Sequence, residues 1–227
     1  MLIVFEGLDG AGKSTQVSML KDYLLHQDIK SEFLHFPRTD SPLFGDLVAR
    51  FLRGDLGKID EVNPYLIALI YAGDRHNAST QLQGWLNEGK AVILDRYVYS
   101  NIAFQCAKLT NDDERKKLRS WILKMEYNFY QIPKPTINLF LDVPLSFTEK
   151  KLAEQRTGPE RDYLHGKADI HEASIDFQER VRREYLEMCN LNYNLDLVNC
   201  SSKTGVMDTP DNIFSKILVE IKKHGIK

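Results

Sequence analysis

The 227-residue sequence predicts an α/β fold: a three-layer sandwich with a five-stranded parallel sheet between two layers of helices. Three observations lead there. Short apolar runs of strand composition alternate with segments of helical periodicity along the chain, which requires a parallel sheet with right-handed crossovers. The first of these runs ends in a glycine-rich turn that opens a helix. The length suits one large domain with a full core, residues 1–227, and is short for two.

The first run, Leu2 to Phe5, has the composition of a buried strand and is too short for the apolar centre of a signal peptide. Gly7, Leu8, Asp9, Gly10, Ala11, Gly12, Lys13 and Ser14 then complete the pattern G-x-x-x-x-G-K-[ST], followed by Thr15. This is a phosphate loop. Its glycines let backbone N–H groups turn inward around a polyphosphate, Lys13 brings an ammonium to the β/γ oxygens, and Ser14 offers a hydroxyl to Mg²⁺. Val17, Leu20, Leu24 and Leu25 share one helical face, so the loop opens a helix whose positive N-terminus points at the phosphates. The P-loop NTPase fold and a bound nucleoside triphosphate follow.

Ser31 to Phe36 reads as the second strand, ended by Pro37, with a polar loop from Arg38 to Pro42. Leu43 to Leu52 reads as a short helix stopped by the Gly-rich stretch from Arg53 to Gly57. Asn63-Pro64 pairs an N-cap side chain with proline at the first helical position, and the apolar pattern then runs to Gly89. Tyr71 and Arg75 lie on one face of that helix. Ala91 to Leu94 is the third strand, and Asp95-Arg96 sits at its carboxyl end, where open α/β sheets bind ligands. Helices are predicted for Val98 to Lys108 and, as one long element, Asn111 to Tyr130. Thr136 to Val143 is the fourth strand, with a helix restarting at Pro144. Thr157 to Asp169 lacks apolar periodicity and reads as a mobile loop. A helix from His171 to Asn190, a fifth strand from Leu195 to Cys200 and a helix capped by Thr209-Pro210-Asp211 complete the chain.

A formal net charge of −2 and a pI near 6.3 leave no basic excess to hold a nucleic-acid backbone. No apolar run approaches the ~20 residues of a membrane span. The three cysteines, Cys106, Cys189 and Cys200, are odd in number and match no metal-ligand spacing, so they read as reduced thiols of a soluble cytoplasmic protein. No Asn-Lys-x-Asp stretch is present to read guanine. Asp95 is followed by Arg96, which puts fixed positive charge beside the phosphates. A lid, residues 156–172, carries Arg156 and Arg161 and is placed to close over a nucleotide. Together these favour a small-molecule kinase over a nucleotide switch or a binding module.

Five stretches carry a family resemblance: F-E-G-L-D-G-A-G-K-S-T from Phe5, F-P-R at Phe36 to Arg38, D-R-Y-V-Y-S-N-I-A-F-Q at Asp95 to Gln105, L-D-V-P at Leu141 to Pro144, and F-Q-E-R-V-R-R-E-Y at Phe177 to Tyr185. In order and spacing the chain resembles thymidylate kinase as far as about Tyr185, and beyond it only in layout. The resemblance implies transfer of the ATP γ-phosphoryl group to dTMP, giving dTDP and ADP, with a deoxynucleoside or other nucleoside monophosphate kinase as the neighbouring alternative. It further implies that Arg38 and Arg96 hold the acceptor phosphate, with Asp9 near the acceptor sugar and the metal. Tyr71 would stack on thymine, Arg75 would donate to its O4, Asn101 and Gln105 would lie at its N3/O4 edge, Phe104 would lie beside the sugar 2′ position, and Pro37 would wall the methyl. Ser14 and Asp95 are the metal candidates, and Lys151 falls where an arginine flanks adenine. Gly10 stands where some relatives carry a catalytic arginine, which directs attention to Arg156 or Arg161. A homodimer is also implied.

Overall fold

Strands β1 (Leu2–Gly7), β2 (Ser31–His35), β3 (Ala91–Asp95), β4 (Ile137–Asp142) and β5 (Asp196–Asn199) form one parallel sheet in the order β2-β3-β1-β4-β5. The computed structural model describes residues 1–154, 159–172, 174–191 and 193–225. β1 and β3 are buried along their whole length, as the apolar runs Leu2 to Phe5 and Ala91 to Leu94 require when helices cover both faces. The edge strands β2 and β5 are partly open to solvent.

Register decides where the chemistry gathers. Phe5 of β1 lies opposite Asp95 of β3, and His35 of β2 lies opposite the same residue. β2 and β3 therefore end level and β1 runs two residues further, so the loop after β1, Arg96 after β3 and Phe36 to Arg38 after β2 emerge on one edge.

Among the described residues eight α-helices surround the sheet: α1 (Lys13–His26), α2 (Phe44–Leu52), α3 (Pro64–Asn87), α4 (Val98–Cys106), α5 (Asp112–Leu123), α6 (Leu145–Ala153), α7 (Ile175–Asn190) and α8 (Pro210–Lys223). The cap signals do what their chemistry predicts: the Asn63 side chain accepts from the Tyr65 N–H at 2.9 Å, and Thr209 Oγ1 accepts from the Asn212 N–H at 3.3 Å. A second, smaller apolar cluster of Val48, Phe51, Leu52, Ile67 and Tyr71 joins α2 to α3, with Tyr163 and Ile170 packed against it. α2 and α3 approach closely at Gly73, where an added Cβ would lie 2.2 Å from the Phe44 ring.

Three elements differ from the sequence expectation. The long helix from Asn111 to Tyr130 is α5 followed by a π-helical turn, Lys124–Phe129. The wider turn buries Met125 and Glu126 side by side, and Glu126 meets a charge on α3. The predicted loop from Thr157 to Asp169 contains a 3-10 helix, Pro159–Leu164, whose three-residue period leaves no 3.6-residue pattern to read. The helix expected from His171 starts at Ile175, because the Ser174 hydroxyl caps it by accepting from the Phe177 N–H. Residues 169–172 instead pack on α2, where the Ile170 N–H donates to Leu52 O at 3.0 Å. Among the described residues no helix is long and apolar enough to cross a membrane.

Candidate active site

The loop after β1 reaches α1 through Gly12, whose φ of +78° is a left-handed conformation that glycine adopts without steric cost. Ser14 and Thr15 are exposed in the first turn of α1, whereas Lys13 is 7 % exposed. Its ammonium donates to Leu8 O at 3.0 Å and lies 3.8 Å from Asp95 Oδ1. Burial and the nearby Arg96 charge lower the Lys13 pKa, against the pull of Asp95 and Asp9.

Arg96 is the hub. It is a non-glycine residue at φ +66°, a conformation that costs of order 1 kcal/mol and that the sheet enforces through its N–H to Phe5 O at 2.8 Å. Its guanidinium donates to Gly7 O at 2.8 Å, to Ser100 Oγ at 3.2 Å and to Asp9 Oδ1 at 2.6 Å. The Phe104 ring lies 5.0 Å away in cation–π geometry. Arg96 thus pairs with Asp9 and not with its sequence neighbour Asp95. Burial alone would raise the Asp9 carboxyl, but the Arg96 and Lys13 charges hold it well below the usual carboxylate range. Gln178 of α7 completes the contact, its amide donating to Asp9 Oδ2 at 3.0 Å and to His171 O at 2.9 Å.

Glu6 is a member of this network that the sequence reading passed over. Fully buried at the end of β1, it accepts from the Tyr97 N–H at 3.0 Å, from Tyr185 Oη at 3.0 Å and from Ser100 Oγ. It ties α4 and α7 to the strand that carries the loop. Its signal was present: a carboxylate inside an otherwise apolar strand run. Asp95 Oδ2 lies 3.2 Å from His35 Nδ1, while Asp95 Oδ1 is buried with no hydrogen-bond partner among the described residues. Burial pushes the Asp95 carboxyl up, and Lys13 and His35 more than offset it.

On the α2–α3 side, Arg38 follows the Phe36–Pro37 bond and is held by Asp74: Nε donates to Asp74 Oδ1 at 2.9 Å, and Nη2 donates to Asp74 O at 2.8 Å and Asn77 Oδ1 at 2.9 Å. Arg75 is buried and bound in fork geometry to Glu126, at 2.5 Å through Nε and 2.6 Å through Nη2. Asn101 Nδ2 donates to Ala68 O at 3.0 Å and to Glu126 Oε1 at 3.1 Å. Gln105 Oε1 accepts from Lys108 Nζ at 2.6 Å. This leaves Asn101 Oδ1 and Gln105 Nε2 buried without partners among the described residues. Tyr71 is buried on the same side.

Residues 169–172 cover this region. Asp169, 6 % exposed, accepts from Tyr163 Oη at 2.9 Å and from the His171 N–H at 2.8 Å. Burial, with the Asp9 charge beside it, pushes the Asp169 carboxyl up to about 7. The His171 ring lies against Phe104 at 4.9 Å, Phe51 at 5.4 Å and Phe177 at 5.6 Å, and burial with the Lys108 charge holds it down to about 3. Glu126, Asp74, Gln178, Lys108, Asp169 and His171 were not singled out as site residues in the sequence; only tertiary contact marks them.

The structure therefore gathers Asp9, Lys13, Asp95 and Arg96 at the edge of the sheet, and Tyr71, Arg75, Asn101, Phe104 and Gln105 behind them. Lys151 lies at the end of α6, where its ammonium pairs with Glu154 at 2.8 Å. Arg156 lies outside the described residues, and of Arg161 only the backbone is described, in the 3-10 helix. Two fixed cations, Lys13 and Arg96, beside the phosphate loop suit a site that aligns two phosphate-bearing ligands and stabilises charge between them.

Comparison with known proteins agrees with this chemistry. The family model described as Thymidylate kinase matches residues 5–209, past Tyr185 into the region that resembled the family only in layout. A thymidylate kinase of Mycobacterium tuberculosis is 32% identical over 189 residues, covering 83% of this chain and 85% of that protein. A probable thymidylate kinase of Thermococcus kodakarensis is 28% identical over 227 residues, covering 98% and 97%. Among solved structures, a thymidylate kinase from Candida albicans matches with a TM-score of 0.72 at 28% identity, over 98% of this chain and 92% of that one. The chain belongs to the thymidylate kinase family, and the reaction it catalyses is transfer of the ATP γ-phosphoryl group to dTMP.

Proposed function

We propose that ATP and dTMP meet at the common edge of β1 and β3, with Arg96 holding the acceptor phosphate beside the transferred group. The observation that carries this reading is the convergence of Arg96, Asp9 and Lys13 in one buried network at the mouth of the phosphate loop. ATP lies along Gly7, Gly10, Ala11, Gly12, Lys13, Ser14 and Thr15, with Lys13 on its β/γ oxygens. A nucleoside monophosphate is already close to dianionic at neutral pH, since its second pKa is about 6, so no strong general base is needed. Alignment and fixed positive charge supply the catalysis.

Mg²⁺ fits the mouth. Asp95 Oδ1 is buried without a hydrogen-bond partner, Ser14 is exposed beside the loop, and Mg²⁺ is held by one or two protein oxygens plus substrate phosphates. When bound, it neutralises charge on the phosphate oxygens. On the acceptor side, the free Asn101 Oδ1 accepts from thymine N3–H and the free Gln105 Nε2 donates to a ring carbonyl. Cytosine lacks that N3 hydrogen. Tyr71 stacks on the base, Arg75 reaches O4 through Nη1, the nitrogen that Glu126 leaves open, and Phe104 and Pro37 bound the sugar and the methyl. Arg38 approaches the acceptor phosphate through its own Nη1. A lid, residues 156–172, supplies Arg156 or Arg161 to the transferred group, and Lys151 flanks adenine. The exposed Leu66 and Leu69 on α3 support a homodimer, and the free cysteines support a cytoplasmic location.

The test is Arg96→Ala in a coupled ADP-release assay with dTMP. The loss expected is about 10²–10³-fold in kcat, the size of a removed transition-state charge partner. Activity within a factor of about two of the parent would remove Arg96 from the acceptor site.

A further inference from the structure

Asn101 and Gln105 sit four positions apart on α4, and among the described residues each has one buried amide atom with no hydrogen-bond partner. Their orientations are set differently. Asn101 is oriented by two acceptors, Ala68 O and Glu126 Oε1, which claim its NH₂. Gln105 has one bond only among the described residues, the 2.6 Å contact from Lys108 Nζ to Oε1. Without that contact, the carbonyl and NH₂ ends of the amide would be interchangeable, and one of them would present an acceptor to the base.

We propose that Lys108 is a positioning residue for base selection: by donating to Gln105 Oε1 it forces the Gln105 amide to present its NH₂, and not its carbonyl, to the base of the acceptor nucleotide. The inference rests on the reading that the base lies against Asn101 and Gln105. A lysine is otherwise an odd choice here. No carboxylate among the described residues forms an ion pair with Lys108, and its ammonium lies 4.5 Å over the Phe51 ring. A surface lysine would keep its head in water; this one bends inward to reach a neutral amide. The charged and titratable neighbours are His171 of the covering segment, held neutral, and Arg180 of α7, which donates to the adjacent Ala107 carbonyl. Burial lowers the Lys108 pKa to about 7. Below that pH the head can only donate; once deprotonated, it both donates and accepts, and the amide is no longer held one way.

The experiment measures KM and kcat for dTMP and dCMP, and thermal stability, for the parent and for Lys108→Met, Lys108→Arg and Gln105→Met. Lys108→Met is expected to raise KM for dTMP about tenfold and to narrow its advantage over dCMP, with kcat within about a factor of two. Its melting temperature should be unchanged or higher, since a desolvated cation is replaced by an apolar chain of similar length. A purely structural lysine would instead lower stability and leave selectivity alone. Lys108→Arg, which cannot deprotonate, should restore selectivity. Comparing the parent with Lys108→Arg cancels the titration of dTMP itself, and the parent's KM should rise relative to Lys108→Arg as pH passes through about 7. If Gln105→Met leaves KM for dTMP untouched, the base does not lie against Gln105 and the underlying reading fails. If Gln105→Met raises KM while Lys108→Met does not, the reading stands and the role of Lys108 is refuted.

Discussion

The phosphate side and the base side of this site are built on opposite rules. At the mouth of the loop, Asp9, Lys13, Asp95 and Arg96 neutralise one another before any ligand is present, each charge with a named counter-charge. On the side proposed for the base, the buried ion pair of Arg75 with Glu126 is closed on itself, and among the described residues Asn101 Oδ1 and Gln105 Nε2 beside it are neutral amide atoms with no partner. The contrast has a physical reason. A phosphate brings its own charge, so a preorganised cluster can exchange one internal partner for it at little reorganisation cost. A pyrimidine is neutral, and only unsatisfied donors and acceptors can tell one base edge from another, because leaving them unpaired costs about 1–3 kcal/mol each.

Three measurements, from largest effect to smallest, would break or sharpen this contrast. Glu126→Ala leaves Arg75 charged, buried and unpaired, and frees the Asn101 amide. Unfolding free energy is expected to fall by about 3–5 kcal/mol. A loss below about 1 kcal/mol in denaturant titration would mean that the base side does not depend on this pair.

The second concerns the cover. The Asp169 carboxyl is pushed up to about 7 where it is docked, from an ordinary value of 3.8. A raised acid favours the docked state fully below 3.8, and that contribution drains away as pH climbs through about 7. Docking of residues 159–172 should therefore weaken by on the order of 2 kcal/mol between pH 5 and pH 7 and then level off. Hydrogen exchange of the amides in that segment reports it, and Asp169→Asn should flatten the profile. Protection factors that do not change with pH in the parent would show that burial and the Asp9 charge do not hold the Asp169 carboxyl up in the docked segment.

The smallest effect is the thymine methyl. Losing it costs about 0.8 kcal/mol, so dUMP should be used about fourfold less efficiently than dTMP in kcat/KM. Discrimination beyond about a hundredfold would mean that the hydrogen-bonding face, and not the Pro37 wall, reads that position.

Legibility in the sequence followed the range of the interactions. The phosphate loop needs only eight consecutive residues, Gly7 to Ser14, with a strand before and a helix after, and all of that is local. Asp95 and Arg96 were readable because the end of a parallel strand is where ligands bind. The first turn of α7 was misplaced because His171 begins an apparent pattern, while the Ser174 cap decides the start. Arg75 was readable as a basic residue on a helix face, but not its occupation by Glu126, a partner 51 positions away that only the packing of the π-helical turn against α3 brings to it. Lys151 matched a position, yet pairs with Glu154, three residues on.

From the sequence alone came the order of strands and helices and the phosphate loop, because periodicity, caps and a contiguous motif are properties of neighbouring residues, while the family and the reaction came from the resemblance of five such local stretches. Only the tertiary structure decided that Arg96 pairs with Asp9 across 87 positions, that Glu6 binds α4 and α7 to the loop strand, and that Lys108 turns the Gln105 amide one way. Those are orientations of single side chains in a dry interior, where one hydrogen bond chooses between states that the chain order leaves equal.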